Sequence, residues 1–415
     1  MPAGRGVDET VRRIHPVAPF GGGVATVIGT PLGVGLYGLS CGLGSDGAAH
    51  VRALHSLRAD LHIVGVADRV PSSAWDARLS YGLPKAFADL GAMLSSPEVD
   101  IVAVAGALPD RAGVLRSAIE AGKAVIVAFP VAIDLAETEA LAQLARRKGV
   151  PSGVALNARL SPEIETLGRR IAEGYVGEVL SASFLGAGPG WGETVAEAEA
   201  YRLDRRNGAT LLTGPVAQIL DATQVVLGDL SEFCAQLAQR RHRVRLIETD
   251  ESRPMTSADQ VLINGQFASG APLSLHHRGG ASRGPAFLWQ VAGTEGELQL
   301  SSPSGVAGSR PLLLVGGRGA QRDLRPLPLL QPIGDIRESD AQHLTRLYAR
   351  LAKDVRDGSS GAPDLDDAVG LHRLVAAVES AAFRGHLVAR ANGGLWIDSE
   401  TGRPARGASP AWRSA

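Results

Sequence analysis

A chain of 415 residues with a formal net charge of −1 and acids and bases interleaved along its length has room for two cores. It offers neither a basic face for nucleic acid nor a polybasic patch for a membrane surface. Aromatic residues make up only 4%, too few for a base-stacking platform. The two cysteines, Cys41 and Cys234, stand far apart with no CxxC spacing. This argues against a disulfide or zinc framework and leads to the expectation of a reducing, cytoplasmic setting with no bound metal.

The first 30 residues hold Arg5, Arg12 and Arg13 before the glycine-broken run PFGGGVATVIGTP. That pattern is no secretory signal, and the segment reads as a flexible extension. No apolar run reaches membrane-spanning length. From Gly33 the chain turns apolar and strand-prone through Val34, Leu36 and Leu39, breaks at Gly38, Gly42, Gly44 and Gly47, and resumes with helical spacing at Val51, Leu54 and Leu57. Strand, glycine turn and helix form the first unit of a dinucleotide-binding fold, in which a diphosphate lies against bare backbone amides at a helix N-terminus. Ser40 occupies the second glycine position of the fingerprint, and the third is met by Gly42 or Gly44. A glycine-rich turn with no ligand is the competing reading.

The run Leu61–Asp68 (LHIVGVAD) ends in an acid at a strand tip, where such folds hold the adenosine ribose hydroxyls. A turn or capping aspartate is the alternative, and Arg69 beside it leaves NAD versus NADP open. Lys85–Ser95 reads as a helix, Val99–Gly106 as a buried strand, Asp110–Ala121 as an amphipathic helix, Ala124–Ala128 as a strand, and Asp134–Arg147 as a helix. Near-continuously apolar strands alternating with helices mean a parallel sheet covered on both faces, placing a first domain at 31–152.

The pattern then changes. Ser161 caps a helix over 161–172 with Pro162 in its first turn. A strand follows at EVLSASFLG, then a glycine-rich loop with Trp191, the polar stretch Tyr201–Arg206, and a helix over Asn207–Leu227. Segments at Ala258–Phe267, Pro272–His277, Phe287–Ala292 and Glu297–Leu300, separated by turn residues, read as an antiparallel meander with one open face. In such a strand His276 and His277 point to opposite faces and cannot chelate one ion, so both read as solvated or interface histidines. Helices are expected over 341–357 and 365–385, and a loose tail from Asn392. The second domain spans 153–391. The fold class is α/β: an N-terminal dinucleotide-binding domain plus a C-terminal α/β domain with an open, mostly antiparallel sheet.

The stretches VGLYGLS, AGKAVIVAFP, NARLSPEI, IAEGYVGEVLSA and NGATLLTGPVAQILDAT, in this order between Val34 and Thr223, make the chain resemble the glucose–fructose oxidoreductase / inositol dehydrogenase (Gfo/Idh/MocA) family, and within it the branch of the fungal galactose-pathway repressor. The resemblance implies a Rossmann domain that binds NAD or NADP. It also implies a second domain that holds a sugar, cyclitol or related hydroxyl or carbonyl compound and pairs through its sheet into a homodimer or homotetramer. It carries cofactor contacts onto Gly38, Leu39, Ser40, Gly42, Gly44, Asp68, Arg69, Leu108, Arg111 and Phe129, and substrate contacts onto Asn157, Arg159, Trp191, Arg202 and Thr213. The departures fall on the chemistry. Where relatives read Glu-Lys-Pro, this chain has Ala128-Phe129-Pro130. The family's helix histidine is matched by Gln218, which hydrogen-bonds but does not titrate, and a histidine after the third strand is matched by Arg111. Tyr201, Gln218 and Asp204 are left as candidates for catalysis. Three functions fit: an NAD(P)-dependent oxidoreductase, a non-redox nucleotide-binding sensor or regulator, or a lyase or cyclase on the same scaffold.

Overall fold

The computed structural model describes residues 30–39, 46–106, 108–188, 190–306, 310–329, 339–391 and 394–405. Strands β1 (Leu32–Tyr37), β2 (Leu61–Ala67), β3 (Ile101–Val104), β4 (Ala124–Ala128) and β5 (Ser152–Ala155) form a parallel sheet in the order β2-β1-β3-β4-β5. Helices α1 (Asp46–Ser56), α2 (Pro71–Tyr81), α3 (Leu90–Leu94), α4 (Leu108–Glu120) and α5 (Leu135–Lys148) connect them. Strands β3 and β4 are almost wholly buried, as expected for a sheet covered on both faces. The boundary expected at residue 152 falls inside this sheet, because β5 runs on to Ala155. The helix expected over Lys85–Ser95 shortens to α3. Ahead of it, Lys85–Phe87 lies along the free edge of β2, with Val66 N–H donating to the Lys85 carbonyl and Phe87 N–H to that of Val66.

The second part opens with α6 (Pro162–Ala172), capped by Ser161, whose Oγ accepts from Ile164 N–H. Then come β6 (Val179–Gly188), β7 (Thr194–Val195), α7 (Ala217–Leu227), β8 (Leu230–Ala238), β9 (Arg243–Leu246), β10 (Ser252–Pro254), β11 (Gln260–Phe267), β12 (Pro272–Gly279), β13 (Phe287–Gly293), β14 (Gly296–Ser302), β15 (Leu313–Arg318) and β16 (Arg325–Pro326). They are followed by α8 (Ser339–Asp357), α9 (Leu365–Arg384), β17 (Val388–Arg390) and β18 (Trp396–Asp398). Ten strands build one sheet in the order β16-β15-β14-β13-β6-β12-β11-β8-β17-β18, antiparallel except where β6 meets β12. Strands β10, β9 and β7 form a separate small sheet.

Two expectations change here. The helix expected from Asn207 begins only at Ala217. Pro215 and the non-helical backbone of Gly214 (φ −89°, ψ −107°) interrupt the chain before it with a π-type turn over Leu212–Val216. The tail beyond Asn392 is not loose over 394–405: β18 pairs with β17, and Trp396 packs edge-on against Phe233 at 4.8 Å between ring centroids. Helix α8 returns to the first sheet's side, where Tyr348 Oη and His50 Nδ1 on α1 lie 2.7 Å apart. Helix α9 lies against α5, tied by Arg373 to Glu139 at 2.7 Å. The expectation of an N-terminal extension lies outside the described residues.

Candidate functional site

In an open parallel sheet the crevice forms where strand order reverses, at the carboxyl ends of the strands. Here that point lies between β1 and β3. Gly38 ends β1 with φ +76°, and a Cβ built on it would come within 2.7 Å of the Gly106 Cα at the end of β3. Two bare backbones thus meet at the crevice floor, as a dinucleotide phosphate approaching main-chain amides requires. The crevice encloses about 400 Å³, and Tyr37, Gly38, Leu39, Asp68, Arg69 and Gly106 line it, joined by Val70, Ser73 and Asp76 from α2 and Asp110 from α4. Asp68 does not cap α2; one of its oxygens accepts from Val70 N–H at 3.1 Å in a tight turn, and Val70 occupies the cap position with no side-chain bond. Asp68 therefore keeps a second oxygen for a ribose hydroxyl. These residues fit the adenosine half of a nicotinamide dinucleotide. Ser40, Gly42 and Gly44 lie outside the described residues.

Arg111, in the first turn of α4, is buried. Its guanidinium donates to the carbonyls of Gly106 (2.7 Å), Ala128 (3.3 Å) and Pro130 (2.9 Å), tying the exits of β3 and β4 together. Leu108, just ahead of it, is buried in the core. Phe129 follows β4, 7% exposed, and its ring lies 4.7 Å from that of His372 on α9. Burial pushes the His372 imidazole down to about 4, against the pull of Asp134, so the ring is neutral. Its Nε2 is buried with no hydrogen-bond partner among the described residues.

Gln218, on the first turn of α7, spends its amide on main chain: Nε2 donates to the Ala155 carbonyl at 3.2 Å, and Oε1 accepts from Ala158 N–H at 3.3 Å. One turn later Asp221 is paired with Arg159, whose Nε donates to it at 2.8 Å, and Arg159 also reaches Asp367 on α9 at 3.1 Å. Burial alone would lower the Arg159 pKa, but Asp221 and then Asp367 hold it above its ordinary value. The guanidinium expected to touch substrate is thus engaged between two carboxylates. Asn157, between Gln218's two anchor points, has a buried Oδ1 without a partner among the described residues, an acceptor left over at the exit of β5.

The remaining candidates gather on the second part's loops. Trp191 takes a left-handed backbone (φ 55°), and its indole Nε1 donates to the Arg202 carbonyl at 3.2 Å. A Cβ on Gly214 would sit 3.5 Å from its ring, so Trp191 packs between the Arg202 main chain and the turn carrying Thr213. Thr213 Oγ1 donates to the Gly208 carbonyl at 2.6 Å and accepts from Thr210 N–H at 2.8 Å. The Tyr201 carbonyl accepts from Asn207 Nδ2 at 2.7 Å, and Gly208 packs on Ile133, which brings this loop against the segment following Phe129-Pro130. Arg202 stands over the Tyr201 ring, its Nε 3.5 Å from the phenol oxygen, and pairs with Glu199 at 2.9 Å. Asp204 accepts a forked contact from Arg206, which holds its carboxyl below the ordinary aspartate range and keeps it an acceptor, not a proton donor. His276 bonds to Gln260, but His277 departs from the expectation. It is fully buried, its Nε2 meeting the Gly305 carbonyl at 3.2 Å.

Sequence reasoning passed over Asp76, Asp110 and His372. The first two read as polar helix positions. The third reads as one more residue on the buried stripe of α9. Among the described residues, no group of acids, histidines and cysteines could hold a metal ion, and no helix is long and apolar enough to cross a membrane.

Residues 38–156 match the model of an oxidoreductase family with an NAD-binding Rossmann fold, and residues 162–302 that of the Gal80p C-terminal domain. The chain is 30% identical over 256 residues to the dehydrogenase aclE of Aspergillus oryzae, an alignment covering 60% of this chain and 70% of that protein. It is 25% identical over 303 residues to the galactose/lactose metabolism regulatory protein GAL80 of Saccharomyces cerevisiae, covering 68% and 70%. The structure of a super-repressor mutant of that yeast Gal80p superposes with a TM-score of 0.78 at 22% identity over 87% of this chain and 98% of that one, a likeness of fold. With the glycine-floored crevice between β1 and β3 and the large open sheet behind it, the chain belongs to the Gfo/Idh/MocA oxidoreductase family, in which sugar dehydrogenases and the Gal80 regulators share one scaffold.

Proposed function

We propose that this chain is a nicotinamide-dinucleotide oxidoreductase acting on a sugar, cyclitol or related hydroxyl or carbonyl compound, with Tyr201 managing the proton in place of the family's lysine and histidine. The observation that supports it most is the β1–β3 crevice, floored by Gly38 and Gly106 and lined by Asp68. The dinucleotide, when bound, supplies or accepts a hydride. The chain's own part is to orient it and the second ligand, and to provide a hydroxyl that exchanges a proton with substrate oxygen. Arg202, its Nε 3.5 Å from the phenol oxygen, orients that hydroxyl. The test is absorbance at the reduced-nicotinamide band with purified protein, either dinucleotide and a panel of aldoses, cyclitols and their keto forms. Substrate-dependent change supports the reading.

One specific observation favours a second reading, a redox-silent sensor. The three positions that carry family chemistry are all engaged with the scaffold: Phe129 with His372, Gln218 with Ala155 and Ala158, and Arg111 with three carbonyls. Tight dinucleotide binding with no spectral change across the whole panel selects it.

A further inference from the structure

Arg111 reaches from the β1–β3 crevice to the far side of the β4 exit. Its Nε donates to the carbonyl of Gly106, which lines the crevice, and its Nη1 to those of Ala128 and Pro130, on either side of Phe129. The guanidinium is planar and rigid, so one group fixes the spacing of two strand exits. The histidine that the family resemblance places here has two ring nitrogens and could serve two carbonyls at most. Beyond Pro130 the chain stays packed. Val131 and Ala132 are buried, and Ile133 meets Gly208, where an added Cβ would come within 3.1 Å of the Ile133 carbonyl. Gly208 has a left-handed backbone (φ +73°), and its carbonyl accepts from Thr213 Oγ1 at 2.6 Å. Its neighbour Asn207 holds the Tyr201 carbonyl at 2.7 Å. A contiguous run of close contacts thus leads from Gly106 to Tyr201, and a close-packed interior passes strain on because it has little slack to absorb it. Among the described residues, none of 200–213 lines the crevice itself.

Building on the dinucleotide reading above, we propose that Arg111 couples the crevice to the Tyr201–Thr213 loop, so that a nucleotide bound in the one steadies the other. Arg111 is in this role a positioning residue. A ligand against the Gly38–Gly106 floor restrains the β3 exit. The guanidinium carries that restraint to the β4 exit, and Ile133 carries it to Gly208. Ordering one end lowers the cost of ordering the other, so a second ligand held by the loop binds more tightly once the nucleotide is in place. By linkage, that second ligand tightens the nucleotide by the same factor.

The experiment is hydrogen exchange read by mass spectrometry on the full chain, free and saturated with ADP-ribose. This probe fills the crevice but carries no nicotinamide to touch the loop. Calorimetry with NAD and with ADP-ribose sets equal occupancy for the parent, Arg111→Lys and Gly208→Ala. In the parent, exchange is expected to slow at 100–112 and, by at least about fivefold, at 200–213. Arg111→Lys, whose single ammonium cannot span three carbonyls, should keep the first effect and lose most of the second. A merely structural role would speed exchange in both states alike and leave their difference unchanged. Gly208→Ala, which pushes the loop off Ile133, should also lose the second effect, and it carries the test where Arg111→Lys does not fold. Protection confined to the crevice in the parent, a loop response in the folded variant as large as the parent's, or binding of NAD without ADP-ribose overturns the inference and leaves the dinucleotide reading in place. Binding of neither nucleotide at millimolar concentration removes both.

Discussion

The rings of Phe129 and His372 lie 4.7 Å apart with their planes tilted by 52°, joining the exit of β4 to α9 at the position to which the family resemblance assigns a lysine. The contact is apolar on one side and a neutral imidazole on the other, and both residues are buried. A lysine ammonium placed there would lose its water and face a ring that burial keeps unprotonated.

Phe129→Lys is therefore expected to destabilise the fold by roughly 3–5 kcal/mol, the range for losing a buried aromatic, and not to restore family chemistry. Denaturant unfolding measures the first and nicotinamide absorbance the second. A variant of parental stability that begins to oxidise sugars would show that the site is closed by this one side chain alone.

The same burial gives a pH dependence. His277 and His372 are both held down to about 4 by desolvation, against about 6.5 in an unfolded chain. Above 6.5 neither state binds the proton and the rings contribute no slope. Between 6.5 and 4 the unfolded chain takes protons that the native one refuses, so stability falls as pH falls, by on the order of 3 kcal/mol per histidine at the acid end. Unfolding free energies between pH 7.5 and 4.5 should show this loss, and His372→Phe should remove part of it. A curve for His372→Phe parallel to the parent's would contradict the assignment.

The Arg159–Asp221–Asp367 group binds the segment after β5 to α7 and α9. Asp221→Asn strands a buried guanidinium with a single remaining carboxylate, and about 3–5 kcal/mol of stability is the usual cost of breaking such a pair. Dinucleotide affinity measured on the folded fraction should stay near the parent's, because Arg159 lies away from the β1–β3 crevice lining. A stability change under 1 kcal/mol would mean that the pair is solvated.

The parallel sheet is legible in the sequence because strands such as Ile101–Val104 and Ala124–Ala128 are apolar without a break, which only a sheet covered on both faces demands. The kink before α7 is less legible: Gly214 and Pro215 are plain in the sequence, but the apolar run on either side of them mimics one continuous helix. The commitments of Arg159, Gln218 and Arg111 are not legible at all. Each is settled by a carbonyl, amide or acid brought in from another element, such as Asp367 from α9 for Arg159, and no local pattern announces that partner. The open face of the large sheet sits between these cases. Alternation in the meander marks it, while its makeup comes from register: Leu262, His276, Leu185, Leu288, Ser301 and Leu313 lie side by side across six strands.

That row bears on assembly. Leu185 is 56% and Leu313 53% exposed, large apolar side chains on a sheet face. We expect a dimer formed through this face, and Leu185→Arg should shift the mass seen by light scattering at micromolar concentration toward the monomer without lowering the unfolding midpoint. A parent that is already monomeric there would leave the row without a partner copy.

Tyr201 separates the two readings of function. Its phenol, beside Arg202, is the remaining candidate proton donor of the three catalytic candidates, since Asp204 is held ionised by Arg206 and Gln218 does not titrate. If the chain is an oxidoreductase, Tyr201→Phe removes the proton that substrate oxygen must gain or lose as hydride moves. Turnover should then fall by about 10²–10⁴, the usual weight of a general acid or base. The ring and its stacking against Arg202 remain, so KM and dinucleotide affinity should change little, and a loss confined to kcat is the signature that a merely structural role would not produce. If the chain is a sensor, the parent shows no turnover to lose, and the substitution weakens only the second ligand, by about the 1–3 kcal/mol of one lost buried hydrogen bond. A Tyr201→Phe protein that turns substrate over as fast as the parent would remove the tyrosine from the chemistry and leave water, oriented by the unpartnered Asn157 Oδ1 at the β5 exit, as the next donor to examine by Asn157→Ala.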